Sequence, residues 1–416
     1  MRFIHCADIH LDSPFLGLEN YPDAPVKEIR EATRRSFERI VELAIDKQVS
    51  FILIAGDLYD GDQQDYRTVL FFMRQLARLK DAGVHVFLAY GNHDAASKLT
   101  KSLKPPANLF IFPSDRVHTE IDKVDGVAIH GQSFSRPDTT EDLAALYPAR
   151  LPGLLNLGLL HTCLSGAAAH LPYAPTSEDL LRSKGYQYWA LGHVHSRRVY
   201  SEDPWIIHPG NTQGRHARET GEKSCELVTA EHSEIVSVER VPVAQVLWHR
   251  LQINCAEIRT IDDVGLQVET QLRRVVSEDE RLCCVRVELV GESTSDSLFR
   301  SSPEKVVAQV RASALEVARE QVWIERVNIS TRLPQSKAHM DTTGPLIETK
   351  RVLDAVRAND DLKDDLLKSL SELLAKVPPE VSEGPDAISF DRTLVTNSLT
   401  AIEQELLARL STGGEE

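Results

Sequence analysis

Over its first 130 residues the chain alternates short apolar blocks with longer stretches whose apolar positions recur every three or four residues. RFIHCAD (2–8) is followed by VKEIREATRRSFERIVELAIDK (26–47), VSFILIAGD (49–57), YRTVLFFMRQLARLKDAG (66–83) and VHVFLAYGNHD (84–94). That order predicts β-α-β units and an α/β fold. Three of the strands run into polar loops that open on residues able to hold a metal: Asp8 and His10, Asp57, and Asn92 with His93. Open α/β sheets gather ligand groups at the carboxyl ends of their strands, so these side chains are expected to converge. Further strand-like runs, GVAIHG, LLNLGLLHT, YWALGHVH and WIIHPGN, follow up to residue 211, and three of them again stop at histidine.

The pattern changes near residue 245. VLWHRLQINC, LCCVRVELVG and WIERVNIS read as strands, and IDDVGLQVETQLRRVV and SPEKVVAQVRASALEVAREQ as helices, which predicts a small separate α+β domain over 245–330. Residues 331–345, TRLPQSKAHMDTTGP, are polar with Pro and Gly and read as a linker. Two amphipathic helical patterns, about 346–377 and 391–411, form a tail. The expected division is therefore 1–244, 245–330, 331–345 and 346–416.

Composition narrows the class. A chain of 416 residues with 42% hydrophobic content can bury a sizeable core and divide into two or three domains. No stretch offers about 18 uninterrupted apolar residues and no basic, apolar leader opens the chain, so a cytoplasmic protein away from membranes is expected. Six scattered cysteines without a CxxC pair argue against a disulfide framework or a zinc knuckle. A net charge of −15 disfavours indiscriminate polyanion binding, while leaving a local cleft free to attract phosphate.

The candidate chemistry lies at the strand ends. In a strand, residues two apart share a face, so Asp8 with His10, and His193 with His195, can reach one ion. Asp57 carries two oxygens and can bridge two cations; Asn92 offers a neutral carbonyl oxygen and His161 a further imidazole nitrogen. Oxygen and nitrogen donors without thiolate suit manganese, iron or a zinc-like ion better than calcium. Two such ions activate water and neutralise the phosphate it attacks. Each short motif alone arises readily by chance, whereas five in order at strand ends point to one site.

The ordered set DxH (Asp8, His10), GD (Gly56, Asp57), GNHD (Gly91 to Asp94), LLHT (His161) and GHxH (Gly192 to His195) resembles the calcineurin-like metallophosphoesterases over about the first 215 residues. The small domain and helical tail resemble that superfamily's DNA-repair exonuclease branch, the SbcD nuclease subunit and its YhaO-type relatives. LLHTCLSG, YWALGHVHSR and PGNTQGRHARETGEK look most like the YhaO type. The resemblance implies a two-sheet sandwich flanked by helices, with a small α+β capping domain and a helical C-terminal tail. It implies one metal held by Asp8, His10, Asp57 and His195, and a second by Asp57, Asn92, His161 and His193. His93 would assist the scissile phosphate or its leaving group as a proton or hydrogen-bond donor, stabilised by Asp94. Where archaeal and eukaryotic members carry a second catalytic histidine, this chain has Asp60.

Arg197 and Arg198 after GHVH, and Gln213, Arg215, His216 and Arg218 after PGN, are expected to position phosphate. Lys98, Lys101 and Lys104 are weaker candidates. The expected function is a manganese-dependent nuclease acting on DNA in double-strand-break repair, a homodimer paired with an SMC-like coiled-coil ATPase. Leu394, Val395, Leu399, Ile402, Leu406 and Leu410 form an apolar stripe that could dock on that partner or fold back on its own domain. The alternatives are a phosphodiesterase or phosphatase acting on nucleotides or other small substrates, and a DNA-end scaffold without catalysis.

Overall fold

The computed structural model describes residues 1–14, 23–60, 65–96, 106–122, 125–164, 173–276, 281–334 and 345–374, with Arg392, Val395, Thr396, Ser398, Leu399 and Ile402 beyond them. It divides into two compact units, Met1–Trp248 and His249–Glu416.

In the first unit the strands are β1 (Arg2–Cys6), β2 (Phe51–Ile54), β3 (His85–Leu88), β4 (Leu109–Ile111), β5 (His118–Asp122), β6 (Val127–Gly131), β7 (Leu155–His161), β8 (Tyr188–Gly192), β9 (Arg198–Glu202), β10 (Trp205–His208), β11 (Ser224–Glu231) and β12 (Glu234–Pro242). They form two six-stranded sheets, ordered β12-β11-β1-β2-β3-β4 and β5-β6-β7-β8-β10-β9. β1 to β4 are parallel, as are β6, β7, β8 and β10. The chain is a mixed α/β protein with two large sheets flanked by helices.

The near-continuous apolar runs follow from burial on both faces of a strand. Ile52 and Ile54 pack with Phe37, Ile40 and Val41 of α1 (Val26–Asp46) and with Phe72 and Leu76 of α2 (Tyr66–Asp81). The alternate residues Phe51 and Leu53 share a second cluster with Leu157, Leu159 and Tyr188 of the other sheet. Each fully buried Phe or Leu contributes roughly 1.5–3 kcal/mol of transfer free energy. Along α1 the buried positions Ile29, Ala32, Thr33, Ser36, Phe37, Ile40, Val41 and Ala44 keep the three-four spacing read in the sequence. Asp65 starts α2 by accepting from the Arg67 amide, and Ser177 starts the short α4 (Glu178–Ser183) by accepting from the Leu180 amide.

The second unit carries a three-stranded sheet of β13 (Val246–Asn254), β14 (Leu282–Glu292) and β15 (Val322–Arg332). Helices α5 (Ile261–Val275) and α7 (Pro303–Ala318) connect these strands, and the six-residue α6 (Asp296–Ser301) precedes α7. Thr260 and Asp263 close a reciprocal capping box at the start of α5.

The tail departs from expectation. The first pattern is two helices, α8 (Pro345–Ala358) and α9 (Asp360–Leu374), because Asn359 breaks the helix and its side chain accepts from the Leu362 amide. In the expected stripe Val395 is buried and Ile402 exposed, while Arg392 pairs with Asp364 of α9. Leu394, Leu406 and Leu410 lie outside the described residues, as do Lys98, Lys101, Lys104 and most of the 331–345 segment. Among the described residues no helix is long and apolar enough to cross a membrane. All six cysteines are free and buried.

Candidate metal centre

Both sheets of the first unit deliver side chains to one place, from the carboxyl ends of β1, β2, β7 and β8 and from the short helix α3 (Asn92–Ala96) after β3. Strand geometry is not what brings them there. β1 ends at Cys6, and Asp8 and His10 both take left-handed backbone, φ 50° and 47°, as do Asp57 at 51° and His193 at 100°. Asp8 N donates to Gly56 O and His10 N to Asp57 O, both at 3.0 Å, so the first loop is tied to the second rather than extended. The expectation that Asp8 and His10 share a strand face is corrected accordingly. Non-glycine residues at positive φ are uncommon, and such strain collects at functional sites. Two glycines are forced by close approach. A Cβ on Gly91 would meet Asp57 Oδ1 and the His161 ring, and one on Gly192 would meet Ala55 O.

Ligand-type atoms of Asp8, His10 and His195 lie within 4.8 Å of one another, as do those of Asp8, Asp57 and His161. His10 Nε2 and His195 Nε2 are 3.3 Å apart, and His161 Nε2 lies 3.0 Å from Asn92 Oδ1 and 3.4 Å from Asp57 Oδ2. The far side of two rings is fixed: His161 Nδ1 donates to Ala55 O at 2.9 Å and His195 Nδ1 to Glu219 Oε1 at 2.7 Å. A neutral imidazole has one N–H, so these bonds leave the Nε2 lone pairs facing the cluster. His193 belongs to the same wall, its ring edge-on to His161 at 5.2 Å and its amide donating to both Asp8 oxygens.

Burial pushes Asp8's carboxyl well above the usual range, and neighbouring Asp57 adds to it. For Asp57 burial acts upward too, but His161, His93, His10 and His193 together hold it below the usual range. Burial takes His10 down to about 3, so it presents a neutral nitrogen. Two buried carboxylates in conflict, facing converging imidazole lone pairs, are a donor set that a divalent cation satisfies. The residues present therefore fit the metals that the sequence motifs imply.

His93 stands beside this cluster. Its backbone amide donates to Asp57 Oδ1 at 3.0 Å, and its Nδ1 lies 3.0 Å from Asp60 Oδ1. Burial lowers the imidazole, but Asp57 and Asp60 more than reverse this and raise it to about 9. Asp94 is buried and accepts from the backbone amides of Leu58, Tyr59 and Gly91, closing the turn between the Asp57 and Asn92 loops. The expected support of His93 by Asp94 is thus replaced by Asp60.

The expected phosphate contacts separate into two groups. Gln213 is buried, donating to Gly214 O and Val246 O and accepting from the amides of Gln245 and Val246, so its side chain is fully committed inside. Arg215 pairs with Glu219 and Asp60, and Arg197 makes a two-pronged bond to the buried Glu226. Arg198, His216 and Arg218 are exposed. The sequence reading missed Glu219. The signal was an acid four residues after Arg215 in the same loop.

Residues 1–197 match the family model of calcineurin-like phosphoesterases, and residues 248–332 match that of the middle domain of the metallophosphoesterase YhaO. The metallophosphoesterase YhaO of Bacillus subtilis (strain 168) is 32% identical over 348 residues, covering 82% of this chain and 84% of that protein. The DNA double-strand break repair protein Mre11 of Methanopyrus kandleri is 24% identical over 427 residues, covering 92% and 85%. Its namesake from Sulfolobus acidocaldarius is 28% identical over 207 residues, 48% of this chain and 50% of that protein.

Proposed function

The chain belongs to the calcineurin-like metallophosphoesterases, of the YhaO type, and on that footing we propose that it is a two-metal phosphodiesterase that cuts DNA in double-strand-break repair. The observation that carries this reading is the convergence of Asp8, Asp57, His10, His161 and His195, with the far nitrogens of His161 and His195 already engaged. Asp8, His10, Asp57 and His195 would hold one ion, and Asp57, Asn92, His161 and His193 the other. The set of nitrogen and oxygen donors suits manganese, iron or a zinc-like ion better than calcium, and manganese is the ion we assign. When bound, the two ions supply an activated water and neutralise charge on the phosphate.

The protein's own part is positioning and proton supply. Asp57, between the two ligand sets, fixes them relative to one another. His93, held by Asp60 at 3.0 Å, carries the proton that the leaving oxygen takes up as the bond to phosphorus breaks. Arg198, His216 and Arg218 offer exposed cationic or hydrogen-bonding groups to the DNA backbone.

DNA as substrate is supported by similarity to relatives named for DNA double-strand break repair. We assign residues 1–244 to nuclease chemistry, 245–330 to DNA contact and 346–416 to docking on an SMC-like coiled-coil ATPase. We place the assembly in the cytoplasm and assign a homodimer through the first domain's helices, where Tyr66 and Leu70 of α2 are 61% and 55% exposed one turn apart. A small-substrate phosphodiesterase is the competing reading. Parallel assays with manganese on end-labelled single- and double-stranded DNA and on a small aryl phosphodiester separate the two. Cleavage of DNA at the higher kcat/KM supports the nuclease, and turnover of the aryl ester with intact DNA overturns it.

A further inference from the structure

Glu219 is a buried carboxylate with every oxygen engaged. Oε1 accepts from His195 Nδ1 at 2.7 Å and Arg215 Nη2 at 3.1 Å, and Oε2 accepts from Asn211 Nδ2 and the Arg215 amide, both at 2.8 Å. Arg215 continues from there: its Nη1 lies 3.5 Å from Asp60 Oδ2, an oxygen that also accepts from Ser13 Oγ at 2.6 Å. Asp60's other oxygen meets His93 Nδ1 at 3.0 Å. A continuous chain, His195 to Glu219 to Arg215 to Asp60 to His93, thus links a ring of the metal cup to the His93 ring, which is not assigned as a ligand. The two ends are far apart in sequence, and His10 also stands between them, its Nε2 3.3 Å from His195 Nε2 and its Nδ1 3.6 Å from Asp60 Oδ1.

We propose that Glu219 and Arg215 are positioning residues for the phosphodiesterase reaction. Glu219 selects the His195 tautomer and aims its Nε2 into the cup. Arg215 locks Glu219 to Asp60, so that His93 and the cup address the same phosphate from fixed directions. Arg215 is therefore not a DNA contact: its side chain is 15% exposed and its guanidinium is shared between two carboxylates. A planar fork suits this role and a lysine ammonium does not, because one edge of the guanidinium, Nε and Nη2, reaches Glu219 while Nη1 reaches Asp60. The inference rests on reading the cup as a two-ion site.

The test uses the full chain and manganese alone as probe. Free Mn(II) is followed by electron paramagnetic resonance during titration of the native protein, Glu219→Gln and Arg215→Lys, alongside kcat and KM on one phosphodiester and thermal melts. The native chain is expected to bind two ions. In Glu219→Gln one of them should weaken about 10- to 100-fold, the effect typical of losing a ligand's outer hydrogen-bond partner, while the other is unchanged. Arg215→Lys should keep both ions and its KM, and lose kcat about tenfold or more. Glu219→Asp, which keeps the carboxylate, should recover part of the lost affinity. A native chain that binds no manganese overturns the cup itself and is seen before any variant is compared. If the native chain binds two ions and both variants match it in affinity and kcat, or fail only in proportion to unfolded protein, the positioning role alone is overturned.

Discussion

Asp60 Oδ1 lies 3.0 Å from His93 Nδ1, while the oxygens of Asp94, the next residue after His93, accept the backbone amides of Leu58, Tyr59 and Gly91. The two acids therefore have different duties. His93→Ala should lower kcat by the roughly 10²- to 10⁴-fold that general acid-base groups supply. Asp60→Asn should lose part of the same factor at unchanged melting temperature. Asp94→Ala should instead destabilise the fold by about 3 kcal/mol, since it leaves three buried amide donors without their acceptor. Equal melting curves for the native chain and Asp94→Ala would contradict this division.

Arg197 and Arg198 are neighbours with opposite commitments. Arg197 holds the fully buried Glu226 through bonds of 2.6 and 3.0 Å, and Arg198 is exposed. Arg197→Ala strands a buried carboxylate and should cost about 3 kcal/mol of stability. Arg198→Ala should leave stability within about 0.5 kcal/mol and weaken DNA binding with a shallower salt dependence. Chemical denaturation and salt-dependent binding of a labelled duplex check both, and a stability loss confined to Arg198→Ala would reverse the assignment.

His5 gives the fold a defined acid sensitivity. It is buried between Tyr188 Oη at 2.9 Å and Leu191 O at 3.2 Å, and burial brings it down to about 3. A folded-state value below the unfolded 6.5 means the unfolded chain binds the extra proton as pH falls, so stability is full above about 6.5 and declines below it. Between pH 7 and 5 His5 should remove about 2 kcal/mol, at roughly 1.4 kcal/mol per pH unit. Denaturant unfolding of His5→Gln should show a correspondingly shallower pH dependence. Parallel curves for the two proteins would place the acid sensitivity elsewhere.

Much of the sandwich was legible because burial on both faces leaves a mark in sequence. VSFILIAGD reads as a strand since Ile52 and Ile54 face the helices and Phe51 and Leu53 face the second sheet. The strand-end histidines and aspartates were legible for the same reason. What the sequence hid was set by distant partners. The left-handed turns at Asp8 and His10 exist because their amides bond Gly56 O and Asp57 O, nearly fifty residues on, and nothing local demands them. Gln213 looked like a loop residue free to meet phosphate, yet its amide group is claimed by Gln245 and Val246 across a fold-level contact. Asn359 is the exception, a local break in the tail whose capping residue was there to be read.

We propose that Asp57 lies at the heart of a two-ion cup that cleaves phosphodiesters in DNA. It is tested most directly by incubating end-labelled single- and double-stranded DNA with manganese and the native chain, Asp57→Asn, or the native chain with a chelator. Metal-dependent cutting by the native protein, abolished by the chelator and by Asp57→Asn in a folded variant, is the predicted result. Uncut DNA with folded, manganese-loaded native protein, in the presence or absence of a candidate ATPase, would contradict it.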